Sequence, residues 1–152
     1  MGSPKWKIKN LEGNYSFKRA AEIILKERIK KVSVNIKLYL KEENPKRLHD
    51  VRISIRRLRY NLELFHTFFD TKRFMKFYNI LVNLQDATGS VRDIYITYEN
   101  ISLFNKEEEI GIQKQVFDKM QERQKVLIEG LRIQFLSFLK SNEMKIFIKL
   151  IR

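Results

Sequence analysis

Apolar positions recur at three- and four-residue steps through most of the chain, which predicts helices. A first helix capped by Ser16 and reaching about Lys41 carries Phe17, Ala21, Ile24, Leu25, Val32, Ile36 and Tyr39 on one side. Asn44-Pro45 breaks it, because the residue before proline leaves the α region, and Pro45 suits the first turn of the next helix. The second helix runs to about Phe69, with Val51, Ile55, Leu58, Leu62, Phe65 and Phe69 at steps of four, three, four, three and four. Asp70-Thr71 caps a third helix that buries Phe74, Phe77, Tyr78, Leu81 and Leu84. Thr88-Gly89-Ser90 is predicted to end it, with Gly89 just past its C-terminus. Val91 to Phe104 is rich in β-branched and aromatic residues, yet no partner strand is evident, so it is read as helical. A fourth helix over roughly 108–140, its solvated start in the acidic run from Glu107 to Glu109, turns Phe117, Met120, Leu127, Leu131, Phe135 and Phe138 inward. Ser141-Asn142 punctuates it, and residues 143–152 form a last apolar segment with Met144, Ile146, Phe147, Ile148, Leu150 and Ile151.

Four main helices with short connections make antiparallel neighbours. The expected fold class is therefore all-α: a four-helix bundle over residues 15–152 with a C-terminal helical extension, after an irregular lead-in over 1–14. Trp6 in that lead-in is read as a tail anchor. A free apolar tail at 144–151 would be exposed, which predicts a covering partner, most simply a second copy of the chain.

Composition narrows the picture. At 152 residues the chain favours one domain and is long enough to build its own core. The absence of cysteine excludes disulfides, zinc–thiolate sites, iron–sulfur clusters and a thiol nucleophile, and fits a reducing, cytoplasmic setting. No apolar run approaches the ~18 residues of a membrane span, and no signal-peptide core follows the N-terminal lysines. A soluble protein without membrane association is expected. Charge changes the picture most. Lys and Arg number 31 against 18 Asp and Glu, a net of +13. Residues 1–98 hold 21 against 10 (+11), and residues 99–152 hold 10 against 8 (+2). Such an uneven field presents a positive surface to an anionic partner: nucleic acid, phosphorylated small molecules, polyphosphate or an acidic membrane face.

The segment from Lys46 to Arg59 concentrates that charge. On a helix of 100° per residue, His49, Arg52, Arg56 and Arg59 fall within an arc of roughly 80°, one per turn over about 15 Å, to one side of the apolar face. Like charges at this spacing repel when the row is empty, and Asp50 is the only local opposite charge. An extended polyanion would relieve the repulsion, with arginine forks pairing to phosphate oxygens and a protonated His49 adding a donor. A solvated basic face, paired to glutamates of other helices, is the competing reading.

His49, Arg52, Ile53, Arg56, Arg57, Arg59 and Leu62 stand in the order His-x-x-Arg-(Val/Ile)-x-x-Arg-Arg-x-Arg-x-x-Leu. This resembles the signature of the CHAD family of histidine-containing α-helical domains. A second stretch, Leu84-Gln85-Asp86-Ala87-Thr88-Gly89-Ser90-Val91-Arg92-Asp93-Ile94, is similar to that family's Leu…Gly-x-x-Arg-Asp turn between the third and fourth helices. The resemblance covers roughly residues 15–150. It implies a helical bundle binding inorganic polyphosphate along a basic channel, with His49, Arg52, Arg56 and Arg59 lining it. It implies roles for Arg57, off the row by phase and either paired structurally or reaching the ligand from the side, and for Arg92. Asp93 would cap the next helix or hold an arginine. Typical members carry two four-helix units, whereas this chain resembles half of one. Either a single unit binds alone or two chains form a homodimer, and the apolar tail favours the homodimer.

Lys72 and Lys76, one turn apart on the third helix, could form the opposite wall of the channel or a solvated pair. Arg19, Lys26, Lys30, Lys37 and Lys41 share one face of the first helix and are read as solvated surface. His66 is read as a packing histidine. About 25 Å of helix separates it from His49, so the two cannot share a metal within one chain. With no HExxH, P-loop or Gly-rich dinucleotide turn, neither catalysis nor a cofactor is expected. The expectation is a polyphosphate-binding module, with a non-specific nucleic-acid-binding helical protein as the alternative.

Overall fold

The computed structural model describes residues 8, 11, 13–108 and 110–151. Lys5, Trp6, Lys7, Lys9 and Glu109, and with them the expected tail anchor, lie outside the described residues. Five helices follow one another: α1 (Phe17–Lys41), α2 (Pro45–Phe65), α3 (Thr71–Glu107), α4 (Lys114–Lys140) and α5 (Asn142–Leu150), with no strand among the described residues. The caps expected at Ser16 and Asp70 are in place, and Asn44 proves to be a third. Ser16, Asn44 and Asp70 side chains accept hydrogen bonds from the backbone N–H of Arg19, Arg47 and Arg73 at 3.2, 2.9 and 2.9 Å, and Pro45 occupies the first turn of α2. Each cap satisfies one of the orphan donors of a helix start.

The bundle is built in chain order: α1 pairs with α2, α2 with α3, and α3 with α4, while α4 touches α1 to close the round. Leu25, Val32, Ile36, Val51, Ile55, Leu58, Leu62, Phe77, Leu81, Leu131 and Phe135 fill the centre, all essentially without solvent contact. Tyr39 of α1 meets Phe135 of α4 edge-on at 5.5 Å between ring centroids. The expected helix pattern is largely realised, with three corrections.

First, α2 stops at Phe65 rather than near Phe69, and His66–Phe68 make a 3-10 turn that carries the chain into Asp70. Second, α3 does not end at Gly89. It runs unbroken for 37 residues, and the only glycine with positive φ among those described is Gly111, at 69°, in the link to α4. Thr88 and Val91 are fully buried on either side of Gly89, and the Thr88 and Ser90 hydroxyls donate to the Gln85 and Asp86 carbonyls of their own helix. Packing of that stripe outweighs the roughly 1 kcal/mol by which glycine disfavours a helix interior. Consequently α4 begins at Lys114, not 108.

Third, the apolar tail is not bare. Ser141 ends α4 and caps α5 by accepting from the Met144 N–H at 3.1 Å, so the chain turns back sharply. Phe147 then stacks on Phe77 of α3, with centroids 4.6 Å apart and planes 9° from parallel, and Phe69 and Phe74 flank it. Met144, Phe147 and Ile151 are buried by the chain itself. Ile146 stays exposed and Ile148 and Leu150 half-buried, so a single chain covers part of the segment without a second copy.

Candidate anion-binding site

α2 lies between α1 and α3 and presents a different flank to each. The buried Asn35 side chain of α1 donates to the Asp50 carbonyl at 3.0 Å, which fixes the rotation of α2 about its axis. With the apolar face locked into the core, His49, Arg52, Ile53 and Arg56 are turned toward α3. There they meet Gln85 and Arg92 across a groove of about 320 Å³. Tyr78, Gln85 and Arg92 stand seven residues apart, so a continuous helix aligns them to within about 20° per step. The uninterrupted passage through Gly89 is what keeps Arg92 in register with Gln85. Past His49 and Arg92 the groove opens into a smaller recess of about 160 Å³ that includes Tyr95 and Glu99.

The α2 side of the groove carries no ion pair among the described residues. None of the ion pairs among the described residues involves His49, Arg52 or Arg56. Arg52 is half-buried, and its Nη1 is shielded from solvent without a hydrogen-bond partner. Burial, and then the neighbouring charge of Arg92, hold the Arg52 pKa below the ordinary guanidinium value. Arg92 touches only the adjacent Asp93, at 3.5 Å, and both are exposed. Asp93 lies inside α3, so it holds an arginine and does not cap a helix. Asp50, the one carboxylate in the basic segment, faces the opposite flank of α2.

Arg59 departs from the expected row. Its guanidinium donates to Gln85 Oε1 at 3.0 Å and to the Tyr78 hydroxyl at 2.9 Å, and lies 5.2 Å from the Tyr78 ring centroid. Tyr78 in turn donates to Glu63, which sits 3.5 Å from Arg59. The hydrogen bond with Tyr78 is the chief reason the Arg59 pKa is raised. Arg59 is thus a strut between α2 and α3 beside the groove, its charge compensated by its own chain although its Nε has no partner. Arg57 leaves the row as its phase requires and faces a separate groove between α1 and α2.

Lys72 and Lys76 are exposed at the start of α3 and line neither groove. On the helical wheel they point roughly 120° and 160° away from the Tyr78–Gln85–Arg92 stripe. The opposite wall is made by Gln85 and Arg92 instead. Lys26, Lys30, Lys37 and Lys41 are exposed along α1, and Arg19 pairs with Glu22 at 3.0 Å. His66 is exposed at the end of α2, its ring 6.4 Å from that of Phe74. Sequence reasoning passed over Gln85, although its seven-residue spacing from Arg92 was the available signal. It also passed over Arg28 and Lys31, whose stripe with Asn35 and Leu38 is legible at steps of three, four and three.

Among the described residues there is no group of three or more His, Asp or Glu side chains placed to hold a metal ion. No helix there is long and apolar enough to cross a membrane. No curated protein and no solved structure matches the chain. A family model described as the CHAD domain matches residues 4–101, which take in α1, α2 and most of α3. That span is more than half of the chain and holds every residue of the groove, so the chain belongs to the CHAD domain family.

Proposed function

We propose that the protein binds inorganic polyphosphate in the groove between α2 and α3, as a binding module and not an enzyme. The CHAD domain is associated with polyphosphate-related proteins. The observation that carries the reading is the row of His49, Arg52 and Arg56, without ion pairs among the described residues and faced by Arg92, with a shielded Arg52 nitrogen that has no partner. A chain of phosphates supplies acceptors at intervals along such a row, and each guanidinium can take two oxygens at once. Gln85 stands between them as a neutral donor for a bridging or terminal oxygen. Binding would release counterions, making affinity fall steeply with salt, by analogy with nucleic acids.

No Phe, Tyr or Trp among the described residues lines this groove itself, and Tyr95 stands only in the adjoining recess, so a single-stranded nucleic acid would find no row of stacking platforms there. The deciding experiment is retention of the Arg52→Glu, Arg56→Glu double variant on immobilised polyphosphate. Retention is expected to be abolished while the helical circular-dichroism signal survives. A folded double variant that binds like the wild type would refute the assignment. In competition, polyphosphate should displace nucleic acid at much lower phosphate concentration, and the reverse order would favour nucleic-acid binding.

A further inference from the structure

The second flank of α2 faces α1 across a larger groove of about 560 Å³. Arg28 and Lys31 of α1 and Arg47, Asp50 and Arg57 of α2 line it, while His49 and Ile53 belong to both grooves and form the ridge between them. Four cationic side chains here oppose one carboxylate, that of Asp50.

The features that mark the first groove recur. Arg28 is half-buried, and its Nε is shielded from solvent with no partner. It is crowded by a second arginine, Arg57, as Arg52 is by Arg92. None of the ion pairs among the described residues involves Arg28, Lys31 or Arg57. Arg47 alone is engaged, by Glu42 at 2.9 Å. Two guanidinium groups drawn together without an ion-paired carboxylate repel each other, and an anion between them would relieve that repulsion. The α2 edge of this groove, from Arg47 to Arg57, is about 15 Å long. That is too long for one phosphate and suits a linear chain of several. Arg56 and Arg57 are neighbours in sequence but about 100° apart around α2, so each serves its own groove.

We infer that the α1–α2 groove is a second phosphate-chain site, and that a long polyphosphate crosses from one groove to the other over His49. This inference rests on the polyphosphate reading of the first groove. A linear anion laid over His49 would touch both arginine pairs and hold α2 on two sides.

Calorimetric titration with tripolyphosphate, short enough to fill one groove, tests it. The wild-type chain is expected to take two equivalents. Arg28→Gln with Arg57→Gln, and separately Arg52→Gln with Arg56→Gln, should each take one, and each should weaken binding of long-chain polyphosphate at least about tenfold through the loss of charge-assisted bonds. A wild-type stoichiometry of one, unchanged in the Arg28/Arg57 variant, overturns the second site and leaves the first standing. Loss of all tripolyphosphate binding in the Arg52/Arg56 variant also overturns it. Wild-type binding by the Arg52/Arg56 variant, with loss in the Arg28/Arg57 variant, supports the second site and overturns the assignment to the first. No binding by the wild-type protein overturns both. Should the Arg28/Arg57 variant fail to fold, Lys31→Gln at an exposed position serves instead, with weaker binding at one of two sites expected and no change counting against the inference.

Discussion

Substituting Gly89 by alanine tests the step on which the site's alignment depends. If α3 is continuous, a methyl group at this position enters open space, since a Cβ built there meets nothing within 4 Å. The expected effect is then the difference in helix propensity, a gain of about 1 kcal/mol. For a chain of this length that raises the melting temperature by about 2–4 °C. If Gly89 were instead a helix terminator with positive φ, alanine would be destabilising by about 1 kcal/mol or more, because its Cβ crowds the following carbonyl. The two readings therefore differ in sign. Urea unfolding followed by circular dichroism measures it, with Gly111→Ala as the internal control. Gly111 has φ of 69°, so alanine there should lower stability by about 1 kcal/mol. Polyphosphate affinity should be unchanged in Gly89→Ala, because Gln85 and Arg92 keep their register. Gly89→Pro should kink α3, with a loss of about 3 kcal/mol, and weaken binding by displacing Arg92 from Gln85. A destabilised Gly89→Ala protein would show that the third helix is broken where its composition suggests, and the α3 wall of the groove would have to be abandoned.

Other consequences follow from the same geometry. Arg59→Ala should lower stability by about 2 kcal/mol, since it removes charge-assisted bonds to Tyr78 and Gln85, whereas Arg56→Ala should leave unfolding nearly unchanged; equal effects in urea titrations would contradict the strut role. Tyr39 is fully buried with no partner for its hydroxyl, so Tyr39→Phe should be neutral or stabilising by about 1 kcal/mol, measured by thermal unfolding. Burial also raises the Tyr39 pKa above its ordinary value of 10.0. The native state therefore favours the neutral phenol, and its contribution is complete below about pH 10 and lost as pH rises above it. Wild-type stability should fall over that alkaline range more steeply than that of Tyr39→Phe. Finally, the logarithm of polyphosphate affinity should fall linearly with the logarithm of salt concentration, with a shallower slope in Arg52→Gln; identical slopes would exclude that residue from phosphate contact.

The amino-acid sequence by itself determined the helices and their faces. Three- and four-residue periodicity, the caps at Ser16, Asn44 and Asp70, and Pro45 in the first turn are local signals, and local physics is enough to read them. It also determined that His49, Arg52 and Arg56 share one flank of α2 while Arg57 leaves it, because a helix converts spacing into angle without help from its neighbours. Only the tertiary structure decided what stands opposite those flanks. Gly89 reads locally as a stop, yet the buried Thr88 and Val91 carry α3 through it and bring Arg92 to Arg52. Arg59 looks equivalent to Arg56 by spacing, yet Tyr78, Gln85 and Glu63 of the folded chain claim it. The tail at 144–151 looks bare until Ser141 turns it onto Phe77. In each case the deciding contact joins residues distant along the chain or weighs packing against a local preference. Periodicity says which way a side chain points, and only the packed helices say what it meets.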